Sequence, residues 1–341
     1  MLKRSEKPGM LKNLRRVVDT ATNIGKGYVD SKRIIWCSLD YKTKEGYKDI
    51  THPSIGRIGY ELLMAASPYP QTLENGGVGY ENPYLFEAKE NPPFVHFNLV
   101  TNQPIALPEE AHYNSDPHIF HKGDTLYLLN RKFSGPDYLA LITLQCTRNL
   151  KIWSNPLPII KTNHVCASPF FLNWHGKEYI YLINTHWNEL FGHKTIGYQT
   201  ENIEIWENKR DLQNPDFQLW KTLPWNFDEQ IYHGDGFIYE DELYIIFNAL
   251  SNRFRTFYGI RDHFKYLWIA KSNDLIHFQI CHRPLLRRGG IYKPTAYLED
   301  SILHVYFATD NSYYGKDKKA YPSGNRIGYF TIPLKDIQFD Q

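Results

Sequence analysis

The chain has 341 residues, of which 39 are basic and 37 are acidic, so its formal net charge is only +2. Such a balance argues against a nucleic-acid groove or a membrane surface as the binding partner. No apolar run approaches the length of a membrane span, and no signal-peptide core follows the basic residues near the N-terminus. The composition therefore predicts a cytoplasmic or virion-associated protein without a signal peptide.

The first elements of the chain are weakly marked. Residues 1–33 predict an N-terminal extension that is partly helical or disordered, with residues 10–24 as its plausible helix. Residues 34–37 then predict a short strand. The four cysteines are widely spaced and form no CxxC pair, which indicates reduced core thiols and neither a zinc site nor a disulfide framework.

A pattern then repeats five times along the chain. Each copy has a turn-forming start, a few apolar residues, a polar break and a second, strongly apolar run. The breaks, such as Lys122-Gly123-Asp124, have the composition of tight turns, so each copy predicts a β-hairpin. The copies start at His52, Asp116, Ser168, Asp235 and Lys293.

The outer half of the repeat has its own signature, an Asn or Asp followed by an aliphatic residue and then by an aromatic one four positions after the Asn or Asp. We place it at 147–153 in repeat two, 200–206 in repeat three and 272–278 in repeat four, each time after a third strand. Five four-stranded repeats with a period of about sixty residues predict an all-β, five-bladed β-propeller over residues 34–341. The strand at 34–37 would close the ring against repeat five.

In a propeller the innermost strands converge on the axis, so the five start residues are expected to surround one mouth of the central channel. Tyr80 and Glu81 are expected at the same rim, and Arg131 is a candidate partner for a carboxylate. His233 lies two residues before Asp235, and Trp187 offers either a sugar-stacking face or a loop anchor. An Asp-Pro pair at a strand start is also a plain structural device.

These motifs resemble those of the five-bladed propeller glycoside hydrolases, the families 43, 32, 68 and 117. The strings HPS (52–54), GYELLMAASPYP (59–70), YENP (80–83), NSDP (114–117) and GDTLYLLNRK (123–132) are similar to a set of relatives from bacteria and bacteriophages. The resemblance implies cleavage of a glycosidic bond by one carboxylic acid and one carboxylate.

The family pattern has carboxylates at the starts of blades one and three, where this chain has His52 and Ser168. The acid and base are therefore expected among Asp116, Asp235 and Glu81. The candidate substrate-binding residues are His52, Tyr80, Arg131, Ser168, His233, Lys293 and Trp187.

The resemblance predicts a glycoside hydrolase acting on a bacterial surface polysaccharide, such as a capsule or teichoic acid. A non-catalytic glycan-binding module, for example a phage tail component, is an alternative, and an intracellular enzyme of polysaccharide biosynthesis is another. The expected partner is an oligo- or polysaccharide in each case, and a phage appendage would favour a trimer.

No metal-binding motif is evident, because the sequence has no zinc-type histidine pair and no EF-hand run. The resemblance permits a structural calcium on the propeller axis. His112, His118 and His121 lie close together in sequence, but strand alternation predicts that His118 faces away from its odd-numbered neighbours. We therefore expect no site at this histidine cluster.

Overall fold

The computed structural model describes residues 27–40, 50–68, 82–89, 92–105, 114–134, 139–187, 198–225, 229–251, 266–288, 290–309 and 326–340. Within these ranges the chain forms twenty-two β-strands and two short 3-10 helices, Ser31–Arg33 and Leu334–Asp336. No helix in these ranges has the length and apolarity that a membrane crossing needs. The predicted helix at 10–24 lies outside the described residues.

The strands form five sheets, which are the five blades. Two short strands, β1 (Ile35–Trp36) and β2 (Ser38–Asp40), precede them. Blade one contains β3 (Ile50–Ile58), β4 (Glu61–Pro68), β5 (Tyr84–Ala88) and β6 (His96–Leu99). Blade two contains β7 (Asn114–Lys122), β8 (Thr125–Ser134), β9 (Leu139–Thr147) and β10 (Leu157–Thr162). Blade three contains β11 (Val165–Trp174), β12 (Lys177–Trp187), β13 (Tyr198–Asn208) and β14 (Phe217–Pro224).

Blades four and five complete the ring. Blade four contains β15 (Glu229–Tyr239), β16 (Glu242–Ser251), β17 (Tyr266–Ser272) and two short outer strands, β18 (Gln279–Ile280) and β19 (Leu286–Arg287). Blade five contains β20 (Ile291–Glu299), β21 (Ile302–Thr309) and β22 (Ile327–Pro333). Each innermost strand contacts the innermost strand of the next blade, and β20 contacts β3. The structure therefore confirms the five-bladed β-propeller.

The N-terminal segment runs along the outer edges of three blades. Val29 bridges to Leu286 in blade four, and β1 pairs with β22 as the fourth strand of blade five. Strand β2 then lies parallel to β6 at the edge of blade one. The predicted ring-closing strand at 34–37 is confirmed. Residues 27–33, which we expected to belong to an extension, include this contact with blade four.

The outer signature was placed correctly in two blades and wrongly in a third. Asn149 and Asp274 each accept two backbone N–H groups, from residues two and three positions further on, which makes them turn residues. Residues 200–206 instead lie within β13, where Asn202, Ile203 and Trp206 satisfy the same pattern. Asp211 accepts the equivalent two bonds in blade three.

Apolar side chains fill the space between adjacent blades, and one glycine shows how closely the blades approach. A Cβ on Gly236 of blade four would lie 2.5 Å from the ring of Phe170 in blade three. Phe170 stacks in turn on the buried ring of Tyr181. Because interiors of this density leave little room to relax, the first strands are held in fixed positions around the axis.

Candidate functional site

A β-bulge lies near the start of every innermost strand, at the axis. In blade one, Thr51 pairs with Ser67 but Ser54 pairs with Ala65, so two residues on β3 lie opposite one on β4. The same shift recurs in the other four blades. In each bulge, two residues of the innermost strand lie opposite a single residue of its neighbour. These two residues are 52–53, 116–117, 168–169, 232–233 and 292–293 in blades one to five.

The register corrects the alignment of the last two repeats. Tyr232 and Tyr292 occupy the positions equivalent to His52, Asp116 and Ser168, the start residues of the first three blades. The predicted start residues of these two blades, Asp235 and Lys293, lie three residues and one residue further on. Asp235 is therefore not a start residue in the sense that Asp116 is.

The first three blades share an unusual backbone at this position. His52, Asp116 and Ser168 have φ values of 52°, 51° and 47°, and each precedes a proline. Positive φ is costly for a residue with a side chain, and it is concentrated where the surrounding structure or a function demands it. All three side chains are buried at the axis, and the relative exposure of His52, the largest of the three values, is 2%.

These residues meet around the carboxylate of Asp116. Its Oδ2 accepts the backbone N–H of Ser168 at 3.1 Å and lies 3.0 Å from Nη2 of Arg131. Its Oδ1 lies 3.5 Å from Nε2 of His52 and 3.4 Å from Nδ1 of His233. The arrangement gathers groups from four of the five blades.

Asp116 is ionised in this setting. Burial pushes the pKa of its carboxyl upward, but the charges of Arg131, then of His233, His52 and Lys293, outweigh burial and bring the pKa below its usual value. The Arg131 side chain, which also donates to the carbonyl oxygen of Cys166, is the strongest of these influences. The cluster thus holds a negative charge at a fixed point on the axis.

The two histidines are neutral. Burial lowers the pKa of His52 to about 4, with a further contribution from Lys293 and Arg131, although Asp116 opposes the shift. Burial likewise lowers the pKa of His233 well below its usual value. The Oγ of Ser168 lies 2.8 Å from Nδ1 of His233, which fits a serine hydroxyl donating to an unprotonated ring nitrogen.

A second polar group lies on neighbouring strands. The carboxylate of Asp235 lies 3.0 Å from Nδ1 of His118 and accepts from the hydroxyl of Thr295. Burial alone would raise the pKa of Asp235. The opposing effects of His118, and then of Lys293 and Thr295, are larger together and bring the pKa below its usual value, so Asp235 is also ionised. Lys293 donates to the carbonyl oxygen of Pro117, next to Asp116. His118 is thus part of the second group, whereas its sequence neighbour His121 is exposed.

Aromatic rings from the last two blades border the first group. The ring of Tyr292, which is half-buried, lies 5.2 Å from that of His52 and 4.4 Å from that of His233. Tyr232 lies 6.1 Å from Tyr292, and both pack with Ala167. The sequence alone did not single out either tyrosine.

The predicted site residues fall into three sets. Arg131, Ser168 and His233 surround Asp116 together with His52, while Asp235 and Lys293 lie in or beside the second group. Tyr80 and Glu81 lie outside the described residues, as does the side chain of Trp187. Asn82, which follows Glu81, accepts from the side chain of Asn114 at 2.8 Å, two residues before Asp116.

The ligand atoms of His52, Asp116 and His233 all lie within 4.8 Å of one another, and all three residues are buried. Two imidazoles and a carboxylate are a donor set that divalent transition metals accept in proteins. Both histidines are neutral and Asp116 is ionised, which are the protonation states that metal binding requires.

No protein-family profile matches the chain, and no curated protein is similar to it in sequence. Among solved structures, the chain is similar to a xylan β-1,4-xylosidase from Bacillus halodurans C-125, with a TM-score of 0.56 and 11% identity over 83% of this chain. The match spans only about half of that enzyme, 52% of its length.

Two further structures match along nearly their whole length. One is a GH43 β-xylosidase/α-arabinofuranosidase from a compost microbial metagenome, in complex with xylotriose, with a TM-score of 0.58 and 12% identity. The match covers 86% of this chain and 94% of that one. The other is a GH43_1 enzyme from Xanthomonas citri complexed with xylose, with a TM-score of 0.58, 10% identity and 96% coverage of both chains. The fold of this protein is thus that of the GH43 propellers.

Proposed function

We propose that the protein is a glycoside hydrolase that acts on an oligo- or polysaccharide at the mouth of the propeller. The observation that carries the proposal is the ionised carboxylate of Asp116, held by Arg131 and by the backbone of Ser168 where the blades converge. The similarity of the fold to GH43 enzymes, two of them with xylose or xylotriose bound, supports the class of reaction.

The protonation states divide the roles among the three candidate carboxyl groups. Glycoside hydrolysis needs one group that carries a proton to the leaving oxygen and one carboxylate that activates water or attacks the sugar. Asp116 and Asp235 both have lowered pKa values, so neither carries a proton at neutral pH. The acid role is therefore assigned to Glu81, and Asp116 is assigned the role of the carboxylate.

The position of Asn82 supports a role for Glu81. The side chain of Asn82 is buried and bonds to Asn114, which begins the same strand as Asp116. Glu81 is the residue before Asn82 in the sequence, and this adjacency is the support for its role. The proposed substrate is a bacterial surface polysaccharide, on the resemblance of the sequence to bacterial and bacteriophage proteins.

The test is a hydrolysis screen with purified protein. Capsular polysaccharides, teichoic acids and xylo- and arabino-oligosaccharides are incubated with the protein, and released reducing ends are measured. Glu81→Gln and Asp116→Asn are each expected to lower the rate about 100-fold or more, the usual contribution of a positioned acid or base. His121→Gln, on an exposed side chain of the same strand as Asp116, is the matched control and keeps the wild-type rate.

Asp235→Asn distinguishes the two polar groups. Because Asp235 bonds to His118 and Thr295 instead of joining the Asp116 group, we expect a smaller loss of rate than with Asp116→Asn. Unchanged product release by both Glu81→Gln and Asp116→Asn would remove the proposed acid and base. Activity that is lost only in Asp235→Asn would move the reaction to the second group.

One observation favours a second candidate function, glycan binding without hydrolysis. Asp116 is fully buried, its Oδ2 is engaged by Arg131 and Ser168, and Asp235 is engaged by His118 and Thr295. Carboxylates held in this way serve well as structural anchors and exchange protons poorly. This alternative predicts that a glycan from the same panel binds in calorimetry and releases no product.

A further inference from the structure

The two oxygens of Asp116 have different surroundings. Oδ2 is satisfied by the N–H of Ser168 and by Arg131. Among the described residues, Oδ1 has no hydrogen-bond partner and instead faces Nε2 of His52 and Nδ1 of His233, at 3.5 and 3.4 Å. These separations exceed the usual range for a hydrogen bond from nitrogen to oxygen, about 2.7–3.2 Å. A buried carboxylate oxygen is thus aimed at two imidazole nitrogens without bonding to either.

The same separations match the edges of a metal coordination sphere. With bonds of about 2.0–2.1 Å from the metal to nitrogen or oxygen, neighbouring ligands of a tetrahedral ion lie about 3.4 Å apart. Both contacts of Asp116 Oδ1 have this length, and all three ligand atoms lie within 4.8 Å of one another. Two edges of one tetrahedral face, both at Oδ1 of Asp116, are therefore in place.

The surroundings of the cluster fit a metal site in a second way. Arg131 and the N–H of Ser168 hold the distal oxygen of Asp116, as outer hydrogen bonds commonly orient a ligating carboxylate. The Oγ of Ser168 lies 2.8 Å from Nδ1 of His233, and its hydrogen bond to that nitrogen must be released before the nitrogen can bind an ion. Two nitrogen donors and one oxygen donor favour a late first-row transition metal over calcium, which prefers oxygen ligands.

We propose that His52, Asp116 and His233 bind one divalent transition-metal ion of the Zn²⁺ type on the propeller axis. The bound ion would occupy Oδ1 of Asp116, so the hydrolysis proposed above belongs to the metal-free form of the protein. The sequence itself has no metal-binding motif, and its resemblance to the propeller glycosidases permits only a calcium ion. Lys293 and Arg131 add positive charge nearby, which the carboxylates of Asp235 and Asp116 offset. The ion adds net positive charge, so we expect weaker binding than in structural zinc sites with thiolate ligands.

The test measures binding directly, without a glycan. Full-length protein is freed of metal with a chelator and titrated with ZnCl₂ by calorimetry, and with CaCl₂ in parallel. We expect one Zn²⁺ per chain and no heat from Ca²⁺. Asp116→Asn and His233→Gln are expected to weaken Zn²⁺ binding at least tenfold, whereas the exposed His121→Gln keeps the wild-type affinity.

A second measurement needs no variant at the site, in case a buried substitution prevents folding. Wild-type protein loaded with Co²⁺ is expected to show the visible absorption of a four-coordinate nitrogen and oxygen site. Absence of Zn²⁺ binding to the wild type overturns the proposal, and so does Zn²⁺ binding that Asp116→Asn and His233→Gln leave unchanged. Failure of hydrolysis has no bearing on it, because the titration reports on the ion alone.

Discussion

The first three blades and the last two reach the axis differently, although their innermost strands share the same bulge. Blades one to three begin with His52, Asp116 and Ser168, each at positive φ and each followed by proline. Blades four and five have Tyr232-His233 and Tyr292-Lys293 at the equivalent positions, and neither tyrosine has a positive φ. The shared bulge therefore fixes the position of the start residue at the axis, and the identity of that residue determines whether a polar or an aromatic group lies there.

The two sets of blades contribute different kinds of side chain at the axis. The polar starts of the first three blades converge on one carboxylate, while blades four and five supply aromatic rings and, one position later, His233 and Lys293. The group at the axis thus has an ionised, hydrogen-bonded side and an aromatic side. Binding sites for polar ligands commonly combine the two.

The largest expected effect concerns the polar side. Asp116→Ala leaves Arg131 buried without its carboxylate, and breaking a buried pair in this way costs about 3–5 kcal/mol of the free energy of unfolding. Urea denaturation measures the loss. Asp124→Ala, at an exposed side chain near the end of the same hairpin, is expected to change the stability by less than about 0.5 kcal/mol. Equal, small losses in the two variants would mean that the pair with Arg131 does not hold the start of blade two.

A smaller effect is expected from pH. Since burial lowers the pKa of His52 from 6.5 to about 4, the unfolded chain binds more protons than the folded one in that interval. The stability from this group is thus fully present above about pH 6.5 and falls as the pH drops, by about 2 kcal/mol at pH 5. His52→Gln should flatten this part of the stability profile. An identical slope in both proteins contradicts the neutral, buried state of His52.

The smallest expected effect tests the third polar start. Ser168→Ala removes the hydroxyl that lies 2.8 Å from Nδ1 of His233 but keeps the backbone N–H that holds Asp116. The loss of one buried hydrogen bond costs about 1 kcal/mol in thermal or urea unfolding. A loss as large as that of Asp116→Ala would show that the hydroxyl, and not the backbone, anchors the cluster.

The fold and part of the site could be predicted from the repeat. Each of the first three blades starts with a polar residue followed by proline, a pattern that is easy to recognise in the sequence. The structure places these three predicted start residues at the bulges. In blades four and five no start residue has that form, because tyrosine precedes His233 and Lys293. The sequence Gly234-Asp235-Gly236 looked like the start of a strand for that reason.

His118 was not among the predicted site residues, because the sequence pattern related it only to His112 and His121. Side chains alternate between the faces of a regular strand, but the bulge at residues 116 and 117 adds one residue and shifts the alternation beyond it. His118 therefore does not join the Asp116 group, as two residues of a regular strand would, and instead lies beside Asp235. The contacts between blades, such as Gly236 against Phe170, also depend on distances that a repeat pattern does not contain.

The central claim is that the mouth bordered by the polar and aromatic starts is where a glycan binds. The most direct measurement is a crystal structure of the Glu81→Gln protein soaked with xylotriose or with a fragment of a polysaccharide that the wild type cleaves. We predict sugar density at the mouth, in contact with the half-buried ring of Tyr292. Sugar bound only at the outer edge of a blade, with the mouth free of it, would contradict the account.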